Sequence, residues 1–185
     1  GAALVSYESA PYWLVFNVGD SRAYLVSEGE FAQISVDHSV VQEMIDAGRI
    51  SPHEASTHPE RNVITRAVDN GSIPEADYWL LPLASADRLL LCSDGLTGEV
   101  REPEVQRLLS AAAEPQIIAQ ELVQSALRGG GRDNITVIVV EAREQLPGES
   151  IADHEVLESD ELQLRWAHDY DGPTVPRHQA GALRG

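Results

Sequence analysis

Three aspartates lie at the ends of apolar runs in this sequence, where they could bind cations. Asp20 ends one such run, Asp94 follows residues 89–93, and Asp133 lies just ahead of the β-branched residues 135–140. A carboxylate at the end of a buried strand is costly to desolvate unless a cation or a hydrogen-bond donor meets it. Three carboxylates at strand ends therefore predict a site for hard divalent metal ions, which prefer oxygen ligands.

Each aspartate also has an ordinary structural interpretation. Asp94 precedes Gly95 and could simply form a turn at a strand exit, and Asp133 could belong to a plain loop after the glycines at 129–131. Asp20 could fix the Gly-Asp-Ser turn through hydrogen bonds from its side chain to the backbone. Metal binding and turn formation are both open for these three residues on local sequence alone.

Composition excludes several classes of protein. The 185 residues carry a net charge of −17, which disfavours nucleic acid or anionic lipid as a partner. All 13 basic residues are arginine, so lysine-dependent nucleotide binding and Schiff-base chemistry are excluded. A single cysteine allows no internal disulfide, and no apolar stretch is long enough for a membrane span. These features predict a soluble, cytoplasmic protein.

Two side chains could imitate a catalytic nucleophile, but neither has the required partners. A cysteine-dependent phosphatase needs an arginine six positions after its cysteine, and the residue six positions after Cys92 is Gly98. Ser21 lies in a Gly-Asp-Ser block, but no histidine has an aspartate three residues before it to complete an esterase site. We interpret Cys92 as a small buried residue and Ser21 as a turn residue.

The elements that must position these aspartates can be predicted from periodicity. Strands are indicated over the apolar runs, and those at 12–16 and 23–26 are predicted to pair across the Gly-Asp-Ser turn. The last strand is uninterrupted β-branched sequence and is predicted to be central and buried on both faces. The predicted strands cover residues 12–16, 23–26, 31–34, 63–68, 78–81, 88–92 and 135–141.

Helices are indicated between these strands. Apolar spacing and a terminal glycine predict a helix from Val40 to Ala47, and Ser51-Pro52 with Glu54 forms a helix-start signal. Two amphipathic helices are predicted at 103–112 and 115–127. The sequence from 143 to 185 is acidic and has little periodicity, so we expect a domain over 1–142 and a disordered tail over 143–185.

Four motifs in this order resemble a known family. They are Asn-Val-Gly-Asp-Ser-Arg-Ala-Tyr at 17–24, Asp-His-Ser at 37–39, Ser-Asp-Gly-Leu at 93–96 and Gly-Arg-Asp-Asn-Ile-Thr-Val at 131–137. This series resembles the later motifs of the PPM/PP2C metal-dependent protein phosphatases, and the bacterial serine/threonine members in particular. The resemblance covers residues 1–141.

The resemblance implies an α+β fold, a partial four-layer α/β/β/α sandwich of mainly antiparallel sheets. It also implies two core Mn²⁺ or Mg²⁺ ions, with Asp94 and Asp133 holding one of them. Asp20 would contribute to a third, weaker site, which Asp94 would share in the family's pattern. Residues 37–59 would lie near the flap that borders the substrate groove. The attacking group would be a metal-activated water, so no catalytic side chain is assigned.

Partners follow from the same resemblance. Phosphoproteins, including those made by bacterial serine/threonine kinases, are the implied substrates, and the complete protein is expected to be a monomer without nucleic-acid or membrane partners. From the residues themselves, Arg22 is predicted to pair with a carboxylate and His38 to support loop structure. The three aspartates carry the metal prediction, since no other part of the sequence offers a comparable set of ligands.

The family's earlier motifs are absent from this sequence. These are the phosphate-gripping arginine, the Asn-Glu-Asp segment, the Asp-Gly-x-Gly-Gly segment that bridges the core metals, and the general-acid histidine. We therefore expect the chain to be the C-terminal two-thirds of a catalytic domain and to be inactive alone. The alternative hypothesis is a truncated, inactive domain that serves as a binding or regulatory module.

Overall fold

The computed structural model describes residues 1–68 and 75–143. The predicted tail lies outside the described residues, apart from Arg143. The elements in chain order are β1 (Ala2–Tyr7), β2 (Ala10–Asn17), β3 (Arg22–Ser27), β4 (Glu30–Gln33), α1 (Val40–Asp46), α2 (Pro52–Ala55), β5 (Asp77–Pro82), β6 (Arg88–Cys92), α3 (Asp94–Thr97), α4 (Glu102–Leu109), α5 (Pro115–Gly129) and β7 (Val137–Glu141).

The strands form two antiparallel sheets. The first has the order β1-β2-β5 and the second has the order β4-β3-β6-β7. Alternating side chains of β2 and β5 pack on alternating side chains of β3 and β6, so each strand gives one face to a shared core. That core contains Trp13, Val15, Ala23, Leu25, Trp79, Leu81 and Leu89.

A second core lies between the four-stranded sheet and the helices. Leu90 and Cys92 of β6 face Leu109 of α4 and Leu122 of α5, and all four side chains are buried. The outer face of the three-stranded sheet is open to solvent at Phe16. The predicted antiparallel α+β sandwich is therefore confirmed, with three of its four layers formed by the described residues.

The predicted pairing of residues 12–16 with residues 23–26 is wrong. β2 pairs with β1 and β5, whereas β3 pairs with β4 and β6. The Gly-Asp-Ser turn carries the chain from one sheet to the other, because stacking the apolar faces of β2 and β3 buries both of them. Strand periodicity marks an apolar face but does not say whether its partner lies beside it or opposite it.

Two other strand predictions are also wrong. Residues 63–68 form no strand, and their only ladder contact is an isolated bridge between Ser39 and Ile64. β7 is an edge strand among the described residues rather than a central one, and Ile138 and Val140 are 51% and 37% exposed. A high β propensity marks both segments, but pairing into a ladder and burial on both faces depend on neighbouring elements that propensity does not specify.

The helix signals are confirmed. Ser51 accepts a hydrogen bond from the Glu54 amide, and the Glu54 carboxylate accepts one from the Ser51 amide, which completes the predicted capping box. α1 ends before Gly48, whose φ of 65° lies in the left-handed region. α4 and α5 each begin with proline in the first turn, as predicted.

Candidate metal centre

Asp94 lies where β6 gives way to α3. The strand ends at Cys92, Ser93 is extended, and Asp94 is the first residue of the short helix. The Asp94 side chain is exposed at this end of the sandwich. The rigid four-stranded sheet therefore holds one carboxylate at its margin, as the sequence predicts.

Ser93 and Gly95 join the Asp94 turn to the loop that carries Asp133. The Ser93 hydroxyl donates to the Asn134 carbonyl over 2.9 Å and accepts from the Thr136 amide over 3.0 Å. A Cβ atom at Gly95 would lie 2.3 Å from the Asn134 carbonyl oxygen, so only glycine allows this approach. The two loops are thus in direct contact, and Asp94 and Asp133 lie in adjoining turns.

Glu99 fixes the other side of the Asp133 loop. Its carboxylate accepts hydrogen bonds from the Arg132 guanidinium over 2.8 and 2.9 Å and from the Arg132 amide over 3.3 Å. The hydrogen bond from the Arg132 side chain keeps the pKa of Glu99 below its usual value. Glu99 comes two residues after α3, so the stretch from Asp94 to Glu99 both carries one aspartate and binds the loop of the other. The Asp133 carboxylate itself accepts from the Asn134 amide over 2.7 Å.

Asp20 lies in the crossing between the two sheets. Burial raises the pKa of its carboxyl group, and the negative charge of Asp94 raises it further, followed by that of Asp37. Asp20 and Asp94 are therefore close enough to repel each other. The structure brings these two together across the two sheets, although 74 residues separate them in the chain.

Arginines neutralise other carboxylates near this end of the sandwich. The Arg22 guanidinium binds Asp37 through Nε and Nη2, with distances from 2.6 to 3.0 Å, which confirms its predicted carboxylate partner. Arg132 binds Glu99. In the described ranges 1–68 and 75–143, no arginine forms an ion pair with Asp20, Asp94 or Asp133.

This donor set fits a hard divalent cation. Carboxylate oxygens are the ligands that Mg²⁺ and Mn²⁺ prefer, and a cation would offset both the burial and the repulsion from Asp94 that raise the pKa of Asp20. Within the described residues, no three His, Cys, Asp or Glu side chains converge on one point. The described part of the chain therefore supplies carboxylates to a site that needs waters or further ligands, in keeping with the few protein ligands of Mg²⁺ sites.

Within the described structure, neither Cys92 nor Ser21 has the surroundings that activate a nucleophile. Cys92 is buried in the core, and burial raises the pKa of its thiol to about 12, so the reactive thiolate is suppressed. A cavity of about 330 Å³ opens beside it between the two sheets, with Asn17, Ser21 and Ser93 in its wall. Ser21 has no histidine partner among its hydrogen bonds in the described residues.

Sequence reasoning missed the side chains that hold the aspartate loops. Ser93 and Glu99 support the Asp94 and Asp133 loops, and His38 and Asp77 support the Asp20 loop. Of these, only His38 was predicted to support loop structure, and that prediction is confirmed. Each of the others acts across a large sequence separation, so no local pattern marks it.

The described residues thus form an antiparallel two-sheet sandwich with candidate metal-binding carboxylates at one end, and the chain is similar to known proteins. The chain is 40% identical over 128 residues to the serine/threonine phosphatase stp of Listeria monocytogenes, covering 69% of this chain and 51% of that protein. It is 42% identical over 127 residues to the serine/threonine protein phosphatase PstP of Mycobacterium tuberculosis, covering 68% of this chain and 24% of that protein.

Solved structures give the same result. The crystal structure of the M. tuberculosis serine/threonine phosphatase PstP/Ppp matches with a TM-score of 0.68 and 37% identity, covering 77% of this chain and 59% of that one. The catalytic domain of PstP in complex with two manganese ions matches with a TM-score of 0.65 and 35% identity, covering 77% of this chain and 58% of that one. No family model matches the chain.

The chain belongs to the family of bacterial PPM-type serine/threonine phosphatases. This confirms the family predicted from the four motifs and disfavours the alternative of a binding module. The chain spans about half the length of the Listeria relatives that it matches. Among the helices of the described residues, none has the length and apolar character needed to cross a bilayer.

Proposed function

We propose that the protein containing this chain is a Mn²⁺- or Mg²⁺-dependent phosphatase that hydrolyses phosphoserine and phosphothreonine in proteins. Asp94 and Asp133 would help hold one ion of a core pair, and Asp20 with Asp94 would hold a third, weaker ion. When bound, the ions supply an activated water and neutralise the charge of the phosphoryl group. The relatives named above, one of them with two manganese ions, support this assignment.

One observation carries the proposal. The Gly95 backbone lies against Asn134, so the Asp94 and Asp133 loops adjoin each other, while the charge of Asp94 reaches Asp20. The three carboxylates have no arginine partner in the described structure, although arginines bind other carboxylates nearby. Adjoining loops whose carboxylates lack a cationic side chain are expected at a divalent metal site that waters or further ligands complete.

The residues of this chain have distinct parts in that function. The aspartates bind the cations, and Ser93 and Glu99 hold the loops of Asp94 and Asp133 so that little reorganisation is needed on binding. No side chain of the described part is assigned as a nucleophile, in keeping with the buried thiol of Cys92. Supporting residues of this kind typically change metal affinity by about 10- to 100-fold when they are replaced.

Substrates, location and extent are assigned by family analogy. We assign residues 1–142 to the phosphatase domain and residues 143–185 to an acidic tail. The substrates would be phosphoproteins made by bacterial serine/threonine kinases, and the whole protein would act as a cytoplasmic monomer. The net charge of −17 supports the exclusion of nucleic acid and anionic membranes as partners.

The proposal can be tested by measuring phosphate release from an aryl phosphate and from a phosphothreonine peptide. Two proteins are compared: this chain alone, and a chimera that adds the part of the Listeria relative outside the match. We expect phosphate release by the chimera to require Mn²⁺ or Mg²⁺ and to stop when a chelator removes the metal. Asp94→Asn in the chimera should lower the rate by more than about 100-fold, because it removes a ligand rather than a supporting residue.

Glu121→Gln provides the control, because it removes one exposed negative charge from α5, on the helical layer, and should leave the rate unchanged. The family-based prediction for this chain alone is little or no activity. A chimera that folds but shows no metal-dependent hydrolysis would contradict the proposed function. Full activity of Asp94→Asn would contradict the assignment of that ligand.

A further inference from the structure

The residue directly before Asp20 is held by an unusual number of hydrogen bonds. The Gly19 amide donates to Nδ1 of His38 over 3.1 Å, and the Gly19 carbonyl accepts from the His38 amide over 2.9 Å. The same carbonyl accepts from the Asn17 side chain over 3.0 Å. Gly19 has a φ of 103°, which residues with a side chain rarely adopt, so the turn depends on both glycine and its partners.

His38 is itself fixed by a second contact. Its side chain is buried, and Nε2 lies 3.1 Å from a carboxylate oxygen of Asp77, the first residue of β5. Since Nδ1 accepts the Gly19 amide proton, Nε2 carries the hydrogen of the neutral ring and donates it to Asp77. Arg66 binds the other oxygen of Asp77 over 2.9 Å, which orients that carboxylate.

These contacts leave His38 no free nitrogen for a metal ion. One ring nitrogen is bound to the Gly19 amide, and the other is directed to Asp77 and lies 3.3 Å from Nη1 of Arg66. A histidine that only fills the core would not need a side-chain bond to the one residue of positive φ in the crossing. The ring therefore acts on the backbone of the Gly19-Asp20 turn, and through it on the direction of the Asp20 carboxylate.

We propose that His38 is a positioning residue that holds the Gly19 backbone so that Asp20 faces Asp94, with Asp77 fixing the orientation of the imidazole. This inference rests on the proposed metal-dependent function. A chain of hydrogen bonds would then support the metal site: Arg66 binds Asp77, Asp77 binds His38, and His38 binds the backbone of the Asp20 turn.

Two substitutions separate the two contacts of His38. In His38→Asn, the amide oxygen can take the place of Nδ1 and accept the Gly19 amide, whereas the contact with Asp77 is lost. In His38→Gln, the longer amide can reach Asp77, whereas the acceptor for Gly19 is lost. Both variants remove an imidazole from the same buried position, so each controls for the general cost of that change.

The 185-residue chain carrying each substitution is examined by two measurements. Amide hydrogen exchange by NMR without metal reports whether the Gly19 amide is bound, and electron paramagnetic resonance of free Mn²⁺ reports the affinity of each binding step. We expect His38→Gln to speed Gly19 exchange by at least about 10-fold and to weaken the Mn²⁺ step that depends on Asp20 by about 10-fold. His38→Asn should stay within about threefold of the unmodified chain in both measurements, well below that effect.

A third variant tests whether the effect passes through Asp20. In an Asp20→Asn background, adding His38→Gln should produce no further loss of Mn²⁺ affinity. Equal effects of His38→Asn and His38→Gln on Gly19 exchange would overturn the inference, since they would show a merely structural role. An undiminished effect of His38→Gln in the Asp20→Asn background would overturn it as well.

Failure of the proposed function looks different. If neither this chain nor the chimera binds Mn²⁺, or if Asp20→Asn and Asp94→Asn bind it as tightly as the unmodified chain, the proposed metal site is wrong. The Gly19 exchange rates of the two His38 variants are measured without metal, so they still decide whether His38 holds the turn.

Discussion

At the scale of single residues, the carboxylates of this chain fall into two kinds. Some are bound by arginine, as Asp37 is by Arg22 and Asp77 is by Arg66. Asp20, Asp94 and Asp133 have no arginine partner within the described structure, and the loops of Asp94 and Asp133 adjoin at one end of the sandwich. Carboxylates that lie close together without a cation repel each other and do not stabilise the fold. The lack of arginine partners for these three therefore favours a role in cation binding.

Tyr24 offers a test of burial at the residue scale. Its ring is buried, its hydroxyl accepts a hydrogen bond from Arg22 over 3.2 Å, and burial raises its pKa to about 12 from a usual value of 10.0. Because the pKa is higher in the folded state, the neutral hydroxyl contributes stability that is fully present below pH 10 and is lost as the pH rises towards 12.

We expect the unfolding free energy of the unmodified chain to fall in that window by at most about 1.4 kcal/mol per pH unit on account of this group. Tyr24→Phe should remove this part of the slope, and near pH 8 it should cost only about 1 kcal/mol for the lost hydrogen bond. Urea denaturation of both proteins between pH 8 and 12 measures the difference. Parallel curves across the window would contradict the prediction.

At the scale of elements, the site depends on two connections that touch. The β6-to-α3 turn and the α5-to-β7 loop meet at Gly95 and Asn134, and Ser93 joins them by hydrogen bonds. Arg88 fixes the helices to the same sheet, because it binds Glu141 of β7 over 2.7 Å and the Leu109 carbonyl over 3.1 Å. The position of Asp133 thus follows from how α5 and β7 dock on β6.

Gly95→Ala tests the contact between these connections. The new methyl group would lie 2.3 Å from the Asn134 carbonyl oxygen, which belongs to backbone and cannot rotate away. We expect a loss of about 2–3 kcal/mol of unfolding free energy by urea denaturation, together with weaker Mn²⁺ binding as the loops separate.

Gly98→Ala is the matched control, because Gly98 follows the same short helix with a φ of −70°. The atom nearest to a new Cβ at Gly98 would be the Asp94 carbonyl oxygen at 3.1 Å, so a small shift of the backbone would accommodate the methyl group. Its effect on stability should be clearly smaller than that of Gly95→Ala. Equal costs for the two substitutions would show that the close approach to Asn134 has no special importance.

At the scale of the whole molecule, β7 forms one edge of the sandwich built by residues 1–68 and 75–143. In the ladder, Ile138 lies beside Leu91 and Val140 beside Leu89, on the face that points into the space between the sheets. The side chains of Ile138 and Val140 are nevertheless substantially exposed. Val139 points the other way and packs against the helical core. An edge strand with an exposed apolar face favours association with other chains.

We therefore expect the isolated chain to self-associate despite its net charge of −17. Val140→Thr should reduce this association in analytical ultracentrifugation and change the unfolding free energy by less than about 0.5 kcal/mol. Val139→Thr, the same change on the neighbouring residue, should cost about 1–2 kcal/mol, because it places a hydroxyl in the helical core. A monodisperse, cooperatively unfolding chain, or similar results for both variants, would contradict this prediction.

Several elements could be predicted because their determinants are local. The capping box at Ser51 and Glu54, the strand at 88–92 and the helix that begins at Pro115 all agree with the structure. The family was also recognisable, because its four motifs keep their residue types and order. The three aspartates could be singled out, since each stands at the end of an apolar run.

Residue types and spacing alone thus determined the main elements, the family and the candidate ligands of this chain. Only the tertiary structure decided that β2 and β3 belong to different sheets, that β7 is an edge among the described strands, and that Ser93 and Glu99 hold the aspartate loops. The physical reason is the range of the interactions. Capping and periodicity act within a few residues, whereas stacking of sheets and support of loops join residues far apart in the chain.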